Sequence, residues 1–195
     1  MKKNISLLAV FATIILFGAL SSAHALSIDP LSGELGVSRW ETTINSELSI
    51  IDFKAWVGYT GTDLNLLYKA TPNELDENSL AGSYNTVFSE TNTEDGWSGA
   101  QITHVLGQPY ITGSPIYLYV KEGKQIPAAY AFDLAKLGWN GIDTIELSGF
   151  WLGVNGAISH ISIYGTHCSV PEPFTMLLLG LGLVGLAGVG RKFKK

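Results

Sequence analysis

Apolar residues recur at every second position through much of the middle of this chain. Over Ser49 to Tyr59, the positions Ile51, Phe53, Ala55, Val57 and Tyr59 share one face, while Asp52 and Lys54 point the other way, the mark of a half-buried strand. Ile116, Leu118 and Val120 alternate with Tyr117, Tyr119 and Lys121. Tyr130, Phe132 and Leu134 alternate with Ala129, Ala131 and Asp133, and Glu122-Gly123-Lys124 supplies a hairpin turn between these two runs. Further strands are expected at Leu64 to Tyr68, Thr86 to Glu90, Ala100 to Leu106, Thr144 to Leu147 and Ile158 to Tyr164, punctuated by glycines and polar clusters. Strand starts about every 10 residues predict an all-β fold, an antiparallel β-sandwich of jelly-roll type. Pro72 to Leu80 and Leu134 to Leu137 are modest helix candidates, and neither carries the long 3.6-residue period that an α/β fold needs.

The two ends break this alternation. Met1-Lys2-Lys3-Asn4 is basic, Ile5 to Leu20 is apolar, and Ala23-His24-Ala25 has the small-x-small form that a signal peptidase accepts, which predicts cleavage between Ala25 and Leu26. At the other end Pro171-Glu172-Pro173 is followed by an uncharged stretch, Phe174 to Gly190, and then by Arg191, Lys192, Phe193, Lys194 and Lys195. As a helix, residues 174–190 would be about 25 Å long, enough to span a bacterial membrane with the terminal cations snorkelling and held on the cytoplasmic side. Pro171 and Pro173 cannot extend such a helix upstream, which leaves an extended peptide open to a processing enzyme. The expected organisation is a signal peptide over 1–25, a β-sandwich body over 26–168 and a sorting region over 169–195.

The ordered trio of Pro171-Glu172-Pro173, a Gly/Leu-rich span and a basic cluster resembles the PEP-CTERM sorting signal of Gram-negative bacteria. The resemblance implies recognition by an exosortase, a membrane-embedded, cysteine transpeptidase-like enzyme. It would cut near Pro171-Glu172-Pro173 and send the body to the cell surface, or to the extracellular matrix of a biofilm, after a transient membrane-tethered stage. A second stretch, Gly138-Trp139-Asn140-Gly141 through Asp143 to Leu147, Gly149-Phe150-Trp151 and Gly156 to Gly165, resembles the final strands of bodies often paired with such tails. That likeness brings no assigned chemistry with it.

Charge sharpens the picture of the body. Its six cations face sixteen carboxylates, a net of −10, whereas the whole chain carries −5. Such a surface repels phosphate backbones, so nucleic acid is not an expected partner. With Cys168 as the sole cysteine, no disulfide forms within the chain, and its thiol falls in an expected linker.

Patterns that carry catalysis or metal binding are sparse in the body. Gly96-Trp97-Ser98-Gly99 lacks the spacing of a nucleophile elbow, and His160 sits mid-strand as a structural imidazole. Metal-ligand spacings of the His-Glu-x-x-His or Cys-x-x-Cys kind are absent, so no metal or cofactor is assigned. A structural calcium in the turns at Asn92 to Gly96 or Asn140 to Asp143 is left open, because calcium needs only loop oxygens. Trp97, Trp139 and Trp151 lie in or near expected loops and are the candidates for stacking on sugar rings. The body is therefore expected to be a structural or adhesive module. A lectin-like module for exopolysaccharide is the alternative, and a polysaccharide hydrolase is the least supported reading.

Overall fold

Alternation at period two becomes nine strands, and the segment after Ser49 becomes one helix, in a computed structural model that describes residues 24–90, 96–122, 124–152 and 156–169. In chain order these are β1 (Ala25–Ile28), β2 (Arg39–Thr42), α1 (Ile50–Val57), β3 (Asn65–Ala70), β4 (Tyr84–Glu90), β5 (Trp97–His104), β6 (Tyr110–Lys121), β7 (Ala129–Asp133), β8 (Thr144–Leu147) and β9 (His160–Ser169). A four-stranded sheet has the order β1-β8-β5-β4, and a five-stranded sheet has the order β2-β7-β6-β9-β3. All pairings are antiparallel except β1 with β8, which run parallel. The expected all-β class holds, as two facing sheets.

The alternation of β6 and β7 explains the layering. Ile116, Leu118 and Val120 of β6, with Tyr130 and Phe132 of β7, point between the sheets into the main core, where Ile28, Ile102, Ile145, Phe150 and Ile163 meet them. Tyr117 and Tyr119 point the other way, into a second apolar layer with Leu48, Phe53, Val57, Leu64 and Tyr164. The five-stranded sheet is thus buried on both faces, and the small Ala129 and Ala131 keep its outer face low enough for α1 to cover it. The four-stranded sheet keeps one face in water, with Gln101, Val87 and Glu146 exposed on it.

The strand expected over Ser49 to Tyr59 is instead α1. Ser49 caps it, its hydroxyl accepting from the Asp52 N–H at 3.2 Å and donating to the Asp52 carboxylate at 2.6 Å. Gly58 ends it at φ +73°, and its N–H and that of Tyr59 donate to the Ala55 and Lys54 carbonyls, closing the last turn. Phe53 and Val57, one helical turn apart, are buried, whereas Ile51 of the supposed apolar row is 75% exposed. An i, i+4 pair fits both periods over so short a segment, and the caps decide between them.

The other departures are local. Residues 72–80 form turns joined by the single bridge of Lys69 with Glu77, and residues 134–138 form one hydrogen-bonded turn rather than a helix. The connection from β6 to β7 runs over residues 122–128, longer than a three-residue turn, with the Glu122 carboxylate accepting the Lys124 and Gln125 N–H groups. β1 and β2, four residues each, were not anticipated. No helix among the described residues is long and apolar enough to cross a membrane, and residues 5–20 and 174–190 lie outside them.

Candidate functional site

The three tryptophans expected to stack on sugars do not form a platform. Trp139 and Trp151 are 5% and 7% exposed and belong to the core between the sheets. Their indole N–H groups donate to the Asp143 and Pro127 carbonyls, each at 2.7 Å. Trp97 begins β5 half-buried, with its ring 6.3 Å from that of Phe88. Large aromatics near the loops of a sandwich close the ends of its core, and that demand outweighs exposure here. Of the processing residues, Ala25 and Leu26 lie in β1, paired with Thr144 and Ile145. Ala23, Pro171, Glu172 and Pro173, and the basic Arg191, Lys192, Lys194 and Lys195, lie outside the described residues.

An aromatic surface does exist, on the opposite face of the five-stranded sheet. Trp40 projects outward from β2, Trp56 from the last turn of α1, and Tyr59 follows the Gly58 cap; all three are half-buried. Trp40 meets Tyr117 edge-on at 5.6 Å, and Phe53 stacks on Tyr164 at 4.2 Å while touching Tyr117, Tyr119 and Trp56 edge-on. The Trp56 N–H donates to the Glu41 carbonyl at 3.3 Å, and its ring meets Phe53 and Tyr119 in T-shaped contacts. Charged groups rim the rings. The Lys136 ammonium lies 5.9 Å from the Trp40 centroid, 3.5 Å from the Asp133 carboxylate, and donates to the Val37 carbonyl at 2.7 Å. Lys54 lies 5.9 Å from the Tyr59 ring, whose hydroxyl donates to Asp63. Beneath these rings Tyr117 is buried, and burial pushes its phenol up to about 12. Rings with adjacent donors and carboxylates suit a polyhydroxylated ring, whose C–H face stacks and whose hydroxyls bond at the edge. The sequence held one signal for it: along residues 49–59, Trp56 falls with Asp52 and Lys54 on the face marked as solvent-facing.

A polar strap lies beside this surface. Residues 43–49, joining β2 to α1, are held to the sheet by the Lys121 ammonium, which donates to the Asn45 carbonyl at 2.7 Å, and by Glu47, 3.3 Å from His160 Nε2. The His160 imidazole holds the Glu47 carboxyl below its ordinary value of 4.5, against a smaller opposing effect of burial. A lowered folded value means that the contact stabilises fully above pH about 4.5 and is lost as the pH falls below that, through the lower folded value. Glu47 is 56% exposed, so the effect is small. Glu47→Gln should lower stability by about 0.5–1 kcal/mol near pH 6. The gap should close at pH about 3, read by urea unfolding across pH; an equal gap at both values would contradict this account.

His160 Nδ1 lies 3.3 Å from the exposed Ser159 hydroxyl, which itself donates to the Lys121 carbonyl at 3.1 Å, an arrangement that fits a structural imidazole. Asn140 turns its side-chain oxygen onto the Ile142 and Asp143 N–H groups at 3.0 and 2.9 Å, and residues 91–95 lie outside the described residues. Among the described residues, no three His, Cys, Asp or Glu side chains are grouped to hold a metal ion.

Comparison with known proteins speaks to the end of the chain. No curated protein and no solved structure matches it. One family model does match, the PEP-CTERM protein-sorting motif, over residues 169–192, which takes in Pro171-Glu172-Pro173, the uncharged span and the first two cations. The chain therefore carries a PEP-CTERM protein-sorting motif at residues 169–192, behind a mostly β body.

Proposed function

We propose that this chain is an exported structural or adhesive protein, delivered to the cell surface or extracellular matrix by an exosortase. The observation that carries the delivery is the sorting motif at residues 169–192, which implies an exosortase as processing partner. Signal peptidase cuts after Ala25, which leaves Leu26 to Ile28 still paired with β8. The span 174–190 then tethers the body transiently to the inner membrane, with Arg191, Lys192, Lys194 and Lys195 on the cytoplasmic side, until the exosortase cuts near Pro171-Glu172-Pro173. In a host that makes an exosortase, the chain should leave the membrane fraction; in the same host without the enzyme, it should stay there at full length. Equal release in both hosts would sink the delivery reading.

For the body, the proposal assigns a passive module and no reaction. A net −10 surface suits a soluble, hydrated matrix component. A jelly-roll relationship is part of the same reading. It is supported by the nesting of β1 with β8, β2 with β7, and β4 with β5, while the parallel β1–β8 pair and the insertion of β9 between β6 and β3 depart from the simple pattern.

The lectin-like alternative moves to a new place, supported by the half-exposed rings of Trp40, Trp56 and Tyr59. If it holds, the processed body binds a neutral exopolysaccharide on a glycan array, and Trp40→Ala with Trp56→Ala weakens binding by about 10- to 100-fold, since each stacked ring contributes roughly 1 kcal/mol or more. Trp97→Phe should leave it unchanged. No signal on any polysaccharide would remove this alternative and leave the structural reading.

A further inference from the structure

The sorting motif begins on the last residue of a folded strand. Its match starts at residue 169, and β9 runs to Ser169, so Cys168 lies in a strand rather than in the expected linker. Two residues separate Ser169 from the Pro171–Glu172 bond, a reach of about 7 Å when fully extended. A membrane-embedded enzyme bound there would meet the sandwich itself.

The end of β9 is built differently from the rest of it. Up to Gly165, β9 is flanked on both sides, by Asn65 of β3 and by Ile116 of β6. Beyond Gly165, β3 has ended, and residues 167–169 pair with Tyr110–Thr112 alone, past an irregularity between Thr112 and Ile116. β7 does not reach this far either, since it pairs with Tyr117 to Lys121. The result is a two-stranded ribbon, a unit of marginal stability by itself.

Its two strands are unequally held. The β6 strand is fixed to the body: Ile111 is fully buried, its N–H donates to the Tyr84 hydroxyl at 2.9 Å, and that hydroxyl donates to the Gly141 carbonyl at 2.8 Å. Gly141, at φ +91°, passes so close that a Cβ on it would lie 2.1 Å from the Ile111 carbonyl. On the β9 strand, Thr166 is half-buried, and His167 and Cys168 are exposed. If the ribbon opens, residues 166–169 are the strand that leaves.

We propose that Thr166–Ser169 peels from Tyr110–Thr112 and enters the exosortase's substrate groove as an extended strand, so that opening of this ribbon controls access to the cut. Release back to Gly165 adds four residues, about 14 Å of reach, and frees backbone N–H and C=O groups for pairing with an enzyme edge. The proposal rests on the sorting reading.

A cross-strand disulfide tests it. Thr112 and His167 are register partners outside the core, and Cα atoms of such pairs lie close enough to bridge. The full-length variant T112C/H167C/C168S, in membrane vesicles containing an exosortase, should be processed at least about tenfold more slowly when oxidised than when reduced, a difference corresponding to 1.4 kcal/mol of barrier. A Gly/Ser spacer of about six residues inserted after Ser169 should restore the oxidised form. C168S alone should respond to neither treatment. Equal rates for oxidised and reduced forms, with both processed, would overturn the ribbon inference. No processing of the parent chain would instead overturn the sorting reading beneath it.

Discussion

Phe53→Ala should destabilise the body by about 3–5 kcal/mol, the largest effect expected from any single substitution in α1. The ring is fully buried and is the centre of the second apolar layer, stacked on Tyr164 and edge-on to Tyr117, Tyr119 and Trp56. Removing it leaves a hole bounded by large, well-packed rings that cannot close in, the condition under which truncation costs most. It also removes what seats α1 on the sheet. Phe53→Leu, which keeps most of the volume, should cost less than half as much. Urea unfolding of the processed body reads both. A Phe53→Ala midpoint equal to the parent's would mean that the helix is not packed as described.

Glu172→Ala should slow processing by about 10- to 100-fold. A buried contact to a charged carboxylate is typically worth about 1.5–3 kcal/mol, and that much transition-state binding is tenfold to over a hundredfold in rate. Proline on either side disfavours a helix there, so the sequence leads one to expect Glu172 on extended backbone. The variant should accumulate at full length in the membrane fraction while its body unfolds at the same urea concentration as the parent's. Pulse-chase with C-terminal detection follows it, and processing at the parent rate would show that the enzyme does not read this carboxylate.

The sequence made some parts of this molecule legible and concealed others for identifiable reasons. β6, β7 and β8 could be read because their alternation is long or flanked by clear turns, and because both faces of β6 are apolar in different ways, aliphatic inward and tyrosine outward. α1 was concealed because eight residues hold only two turns, in which Phe53 and Val57 satisfy either period; Ser49, Asp52 and Gly58 carried the deciding information. β1 and β2 are four residues long and exist through partners more than 80 residues away in sequence, β8 and β7, which no local pattern reports. The same non-locality hid which aromatic rings stay exposed. Trp139 and Trp151 look loop-exposed in sequence but plug the end of a core assembled from distant strands, while Trp40 of β2 and Trp56 of α1 stay half-exposed where they pack against the second apolar layer. The sorting motif was legible because its residues lie in one continuous stretch, 169–192.

The central claim is that an exosortase removes the end of this chain and releases the body. Intact-mass and C-terminal peptide spectrometry of the protein from the extracellular or surface fraction tests it most directly. The account predicts a chain starting at Leu26 and ending near Pro173, without Arg191, Lys192, Lys194 or Lys195. Recovery of that basic end, intact, on the extracellular protein would contradict it.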